Sequence, residues 1–148
     1  MKALTIRQPY AAAVLAGGKD VENRSRNILG NHTGSILIHA GQQLADAEGF
    51  AQVYDLAPHL PILGAPGHPE TECGGILGAV TVVDTHHWDH CQGLCSAWAL
   101  PGHWHTSLTA PVVFPKRIPC NGQLGLWTVD PATAFLAAQH LPEDEETQ

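Results

Sequence analysis

Two segments rich in apolar residues constrain the fold of this chain most strongly. Residues 35–40 lie between two glycines, and residues 76–83 continue without a charged side chain and contain Gly78. Apolar runs of about four to eight residues bounded by turn residues are typical of strands buried on both faces. A glycine inside such a strand indicates a bend or a close backbone approach. These two segments are therefore predicted to be central strands.

The remaining patterns predict short helices around these strands. Further strands are predicted at residues 3–7, 109–114 and 124–129, and helices at residues 10–16, 42–56 and 131–141. Helices interrupt the strands early, whereas the last half is mainly strand and loop, which argues against alternating βαβ units. The predicted fold class is α+β, a small mixed, mainly antiparallel β-barrel with flanking short helices.

The length of 148 residues fits one domain. Residues 1–141 are predicted to form that domain. Residues 142–148 include four consecutive acidic side chains and are predicted to be a disordered tail. Residues 58–75 are rich in proline and glycine and are predicted to be a mobile loop, whose role the sequence leaves open.

Charge limits the partners that this chain can bind. It carries 7 basic and 14 acidic residues, a formal net charge of −7, and no basic residue lies between Arg26 and Lys116. Binding along a duplex backbone needs many lysines and arginines, so we expect no binding to bulk duplex DNA. The cations near the N-terminus suit one nucleotide, a modified nucleoside or a short RNA.

The sequence also predicts a compartment. Residues 1–7 alternate and Pro9 follows them, unlike a signal peptide, and no segment approaches the length of a membrane span. We therefore expect a cytoplasmic protein without membrane contact. Its four cysteines are then predicted to be reduced thiols.

Four sequence motifs carry a family resemblance. They are LTIRQPY at residues 4–10, GKDVENR at residues 18–24, LIHAG at residues 37–41 and GQLGLW at residues 122–127. In order and spacing these motifs closely resemble the ASCH domain of the PUA-like superfamily. The resemblance implies a small β-barrel with a cleft where related domains bind RNA, modified bases or nucleosides.

One branch of that superfamily resembles a small amidohydrolase that removes the acetyl group from N4-acetylcytidine. The resemblance implies a catalytic lysine, a threonine three residues later and a distant glutamate. Lys19 matches the lysine, but Glu22 occupies the threonine position, so the nucleophilic hydroxyl of that scheme is missing. Other members resemble ribonucleases, so RNA cleavage also remains open.

Lys19, Glu22 and Arg24 are the main candidate site residues. Arg24 offers a planar set of donors to a phosphate or carbonyl, and Glu22 can accept from an exocyclic amine. If partly desolvated, Lys19 and Glu22 could supply a general base, which makes them the candidate catalytic pair. The alternative is a surface ion pair between Glu22 and Arg24 worth about 0–1 kcal/mol.

Five further residues are candidate ligand contacts. The Gln8 amide could bind a base edge and the Tyr10 ring could stack, although helix capping and core packing are the alternatives. Ser25 ends the polar segment 19–25 that contains Lys19, Glu22 and Arg24. His39 ends a predicted strand, where a purely structural role is equally compatible. Trp104 is the preferred stacking residue because it lies in a polar segment rich in glycine and histidine. Stacking of a base on an aromatic ring contributes about 1–3 kcal/mol.

Residues 86–95, HHWDHCQGLC, followed by His103 and His105, contain several side chains that bind transition metals. The alternative of a zinc site would use His86, His90, Cys91 and Cys95. Their spacing lacks the paired pattern of zinc ribbons and fingers, and we therefore predict a polar loop and no cofactor.

The sequence thus favours a nucleic-acid or nucleotide-binding module that recognises a modified nucleobase or short RNA in a polar cleft. The alternative is a hydrolase, either an amidohydrolase of N4-acylated cytidine-type nucleosides or a ribonuclease.

Overall fold

The computed structural model describes residues 1–60 and 72–143, and in these ranges the chain forms six strands and four helices. The strands are β1 (Lys2–Gln8), β2 (Val21–Arg24), β3 (Gly34–Leu44), β4 (Gly75–His87), β5 (Trp104–Pro119) and β6 (Leu126–Thr128). The helices are α1 (Tyr10–Ala16), α2 (Ala47–Leu56), α3 (Trp88–Cys91) and α4 (Pro131–Ala138). None of these four helices is long and apolar enough to cross a membrane. Most of the predicted 58–75 loop and of the predicted tail, namely residues 61–71 and 144–148, lies outside the described residues.

All six strands form one sheet in the order β2-β5-β4-β3-β1-β6. Neighbouring strands are antiparallel except β1 and β3, which are parallel. The predicted α+β class with a mainly antiparallel sheet is confirmed. The sheet is barrel-like but does not close within the described residues, because β2 and β6 remain at its two edges.

Strand β3 is buried on both faces, which explains its apolar run. On one face Ile36 and Ile38 pack into a cluster with Leu15 of α1. On the opposite face Leu37 packs with residues that include Trp127 of β6 and Ala137 of α4. Side chains alternate along a strand, so helices covering both faces require apolar residues at consecutive positions.

Gly78 lies where β5 passes closest to β4. A Cβ atom added at Gly78 would overlap the carbonyl oxygen of Val112 on β5. The register between the two strands shifts between Ile76 and Gly78. The expectation of a crowded or bent backbone at this glycine is therefore confirmed.

The bounds of several predicted elements differ in the structure, and β2 was not among the predicted strands. Strand β3 continues to Leu44, and α2 begins at Ala47, because Asp46 caps the helix by accepting from the Gly49 N–H at 2.9 Å. The polar segment after α1 contains a strand, β2, which pairs with β5 at the sheet edge. Polar side chains are tolerated there because only one side of an edge strand needs to face the core.

Candidate functional site

A cleft of about 440 Å³ lies beside β2, where five parts of the chain meet. Its polar side chains come from β1, the start of α1, β2, the end of β3 and the loop before β6. These side chains belong to Thr5, Arg7, Tyr10, Glu22, Asn23, Arg24, Gln42, Gln43 and Gln123. The cleft is large enough for a small ligand, since such pockets typically measure about 300–1,000 Å³.

Glu22 and Arg24 form an ion pair in which one acceptor atom and one donor atom make no hydrogen bond among the described residues. Both side chains lie on the same side of β2 because they are two residues apart. The Glu22 Oε1 to Arg24 Nε distance is 3.6 Å, and Arg24 Nη2 donates to the Thr5 carbonyl at 2.8 Å. Glu22 Oε2 and Arg24 Nε are buried without a hydrogen-bond partner among the described residues. Each such group costs about 1–3 kcal/mol, which a complementary ligand would offset.

Lys19 is buried and is not among the described residues that line the cleft. Only 2% of the residue is exposed, and its ammonium group donates to the Val21 carbonyl. The Nζ atom is 5.1 Å from the centre of the Tyr10 ring and 5.6 Å from that of Trp98. Burial lowers the pKa of Lys19, against the opposing effect of the nearby Glu22 carboxylate. Of the two candidate catalytic residues, only Glu22 lines the cleft.

Tyr10 is the aromatic residue of the cleft wall. Its hydroxyl is 3.5 Å from Gln52 Oε1, at the limit of a hydrogen bond. Burial raises the pKa of Tyr10, and the carboxylates of Asp46 and Glu22 add to this rise. The hydroxyl is thus protonated at neutral pH, and the ring offers a neutral apolar surface to the cleft.

Gln8 and Ser25 do not contribute to this cleft. The buried Gln8 amide accepts from the Ala12 N–H of α1 and donates to the Glu72 carbonyl, both at 3.0 Å. Both ends of the amide are therefore used to hold the start of α1. Ser25 is exposed just beyond β2 and is not among the described residues that line the cleft.

His39 lies in the wall of an adjoining hollow of about 480 Å³. Its Nε2 is 2.9 Å from the Cys120 carbonyl, so Nε2 carries the proton and donates. Its Nδ1 accepts from the Thr5 hydroxyl at 3.2 Å, and that hydroxyl accepts from Trp127 Nε1 at 3.1 Å. Both ring nitrogens are engaged, so this geometry supports the structural alternative for His39.

Trp104 lies outside the cleft lining, next to its edge. It is directly opposite Arg24 in the β2–β5 pairing, and opposite residues project to the same side of a sheet. Its ring makes an edge contact with His87, with 5.2 Å between ring centres. The ring that lines the cleft is that of Tyr10, so Tyr10 is better placed than Trp104 for stacking.

The residues of the alternative metal site are partly brought together. Cys91 and Cys95 lie beside His86, whereas His90 is exposed and His105 takes its place. No disulfide joins the cysteines within the described ranges. Burial raises the pKa of Cys91, but hydrogen bonds from the Gly93 N–H and neighbouring side chains outweigh it and lower the pKa to about 6.

Several cleft residues escaped the sequence analysis. Gln42 and Gln43 were placed in a predicted helix, but they lie on the extended end of β3. Thr5, Gln123 and Leu124 belong to the motifs that carried the family resemblance, so a signal for them was present. Leu124 borders the cleft and is 99% exposed.

The residues of this cleft fall almost entirely within a match to a known domain family. The model of the ASCH domain matches residues 4–124, which include every residue of the cleft except Gly125. The chain therefore belongs to the ASCH domain family, within the PUA-like superfamily. This membership suggests RNA binding or a related function. No curated protein matches the chain as a relative.

The burial of Lys19 predicts a pH dependence of stability. Because burial holds the pKa of Lys19 below its ordinary value of 10.5, the unfolded chain binds more protons there than the folded chain. The free energy of unfolding rises with pH wherever the unfolded state holds more protons. The buried charge of Lys19 is unfavourable for folding, and this penalty should decrease as the pH rises through the folded pKa of Lys19 towards 10.5. The free energy of unfolding should therefore increase over this pH range.

Urea denaturation of the wild type and of Lys19→Met across this range measures the effect. The difference in unfolding free energy should shift in favour of the wild type with rising pH, since methionine cannot titrate. The same substitution at the exposed Lys116 is the matched control. A pH-independent difference for Lys19→Met would show that the lysine is not held in a desolvated position.

Proposed function

We propose that the cleft binds one nucleobase that carries an exocyclic amine, as part of a nucleoside, a nucleotide or a short RNA. The observation that carries this proposal is the buried pair of Glu22 Oε2 and Arg24 Nε, which lack hydrogen-bond partners among the described residues although Arg24 Nε lies 3.6 Å from Glu22 Oε1. Both residues line the cleft, and a ligand would reach the two atoms when either side chain turns towards it. An acceptor beside a donor, in a cleft of about 440 Å³, suits a planar group with the opposite pattern. Membership of the ASCH family supports the same class of ligand.

The hydrogen-bonding pattern favours cytosine-type bases over uracil. Cytosine carries an amine at position 4, which can donate to Glu22 Oε2, next to a ring nitrogen that can accept from Arg24 Nε. Adenine offers a similar neighbouring pair. In the orientation that cytosine would take, uracil places its carbonyl oxygen at position 4 against the Glu22 carboxylate and its N3–H against the Arg24 donor, so it would have to shift or turn in the cleft to bind. Tyr10 supplies an aromatic surface in the same cleft.

The charge of the cleft supports recognition of a base and not of a long backbone. Two arginines, Arg7 and Arg24, line it among the described residues, and the Arg24 guanidinium already donates to a carbonyl. The whole chain has a formal net charge of −7. Few phosphates can then be neutralised, so binding should depend weakly on salt, and we expect no binding to bulk duplex DNA.

Glu22→Gln tests the proposed amine contact. The wild type should bind cytidine more tightly than uridine in calorimetric titrations. An amide in place of the carboxylate removes a charge-assisted hydrogen bond worth about 1.5–3 kcal/mol, so cytidine should bind about 10–100-fold more weakly. The preference over uridine should disappear as well, since the amide can donate to the uridine carbonyl.

The matched control is Glu48→Gln, the same chemical change at an exposed position of α2 outside the cleft lining. It should bind both nucleosides as the wild type does. Equal affinity of the wild type for cytidine and uridine, or unchanged cytidine binding by Glu22→Gln, would exclude this mode of recognition.

A second candidate function is hydrolysis of an N4-acylated cytidine-type nucleoside or of RNA. The observation that favours it is the buried Lys19, whose pKa burial lowers, close to the Glu22 carboxylate. Such pairs are frequent in active sites. Since Glu22 lines the cleft and Lys19 does not, Glu22 would activate water there, with the Lys19 ammonium group close to its carboxylate.

Incubation with N4-acetylcytidine tests the amidase reaction, in which water converts the substrate to cytidine and acetate. The wild type should release both products, Glu22→Gln should lose at least about tenfold in rate, and the control Glu48→Gln should retain the activity. A short RNA incubated in parallel tests strand cleavage. If purified wild type converts neither substrate, the hydrolase candidate is rejected, whereas the binding proposal is judged by its own titrations.

A further inference from the structure

Four side chains with nitrogen and sulfur ligand atoms converge where α3 meets β4 and β5. His86, Cys91, Cys95 and His105 place one ligand atom each within 4.8 Å of all the others. The two Sγ atoms are 3.5 Å apart, and His105 Nδ1 lies 3.3 Å from Cys91 Sγ and 3.6 Å from Cys95 Sγ. A tetrahedral zinc ion with ordinary bond lengths requires about 3.8 Å between sulfurs and about 3.6 Å between sulfur and nitrogen.

The hydrogen bonds of both histidines orient them towards the centre of this cluster. His105 Nε2 donates to the Leu100 carbonyl at 2.8 Å, which leaves the lone pair of Nδ1 directed at the two sulfurs. His86 Nδ1 donates to Asp84 Oδ2 at 3.0 Å. Metal-binding histidines characteristically donate their other ring nitrogen to a carbonyl or carboxylate in this way.

His86 supplies an independent indication of a missing partner. Its Nε2 atom is buried and makes no hydrogen bond of ordinary geometry among the described residues, although the Cys91 side chain lies close enough to interact with the His86 ring. A buried nitrogen lone pair without a donor is costly, because it has lost its hydrogen bonds to water. A metal ion at the centre of the cluster would satisfy it.

We propose that His86, Cys91, Cys95 and His105 bind one Zn²⁺ ion. Two sulfur and two nitrogen ligands in a tetrahedral arrangement suit zinc better than calcium or magnesium, which prefer oxygen. On binding, each thiol that is still protonated releases its proton to water, and the two thiolates balance the charge of the ion. Four protein ligands leave no open position, so the site is structural and not catalytic.

The proposed zinc ion would stabilise the segment that supports the cleft. Between Cys95 and His105 the chain is fastened to β2 through Asn23, whose amide donates to the Trp98 carbonyl and accepts from the Leu100 N–H, both at 2.9 Å. Asn23 also lines the cleft. Zinc would thus fix this segment at both of its ends and hold β2 in place.

Metal analysis of the untagged full-length protein tests the proposal, because a histidine tag would itself bind zinc. The wild type should contain about one zinc ion per chain, and Co²⁺ replacement should give the thiolate charge-transfer band and visible spectrum of a tetrahedral site. Cys95→Ser should weaken zinc binding by more than about tenfold. The matched controls are His90→Ala, in the same segment but outside the cluster, and Cys120→Ser, a thiol elsewhere.

Thermal unfolding with and without a chelator gives a second readout that does not depend on a cysteine variant. Chelation should lower the Tm of the wild type and of His90→Ala, and should leave the Tm of Cys95→Ser unchanged. Equal zinc content in wild type and Cys95→Ser would mean adventitious binding and would overturn the proposal. A wild type without zinc, or one in which Cys91 and Cys95 form a disulfide under reducing purification, would also overturn it.

Discussion

The pairing of β5 with two neighbouring strands fixes both polar sites of this protein. The β2–β5 register places Arg24 opposite Trp104, and the β4–β5 register places His86 opposite His105. Because side chains alternate along β5, Trp104 and His105 project to opposite sides of the sheet. A slip of one residue would exchange these sides, and would separate both Glu22 from the cleft and His105 from the cysteines.

The cleft depends on charges that the fold holds away from water. The ammonium group of Lys19 lies close to the rings of Tyr10 and Trp98, and the nearby Glu22 is only 6% exposed. Burial of a charged group is unfavourable unless it is paired and hydrogen-bonded, and here one Glu22 oxygen has no such partner in the described part of the chain. This unmet demand links the stability of the fold to the presence of a complementary ligand.

The sequence predicted the central strands well, because their apolar runs follow directly from burial on both faces. It also located Glu22, Arg24 and Tyr10, since family motifs and local alternation place them near one another. Gln8 was assigned to the ligand, but its amide caps α1, and sequence alone does not separate the two uses of an amide. The compartment, the single-domain boundary and the identity of the ligand remain predictions.

The long-range parts of both sites could not be predicted, because they depend on strand register. His105 was one of the candidate ligands, but its place beside His86 follows from cross-strand pairing, whereas His90 of the alternative zinc site lies outside the cluster. Gln42 reaches the cleft because β3 continues beyond its apolar run. The spacing of residues along the sequence predicts neither the contact of His105 with His86 nor the position of Gln42 at the cleft.

The central claim is that Glu22 and Arg24 together bind the hydrogen-bonding edge of one nucleobase. A crystal structure of the protein with cytidine 5′-monophosphate tests it most directly. The account predicts the exocyclic amine within hydrogen-bond distance of Glu22 Oε2, and the neighbouring ring nitrogen or carbonyl within reach of Arg24 Nε. A nucleotide bound elsewhere, or a base in the cleft with its polar edge turned away from both side chains, would contradict the account.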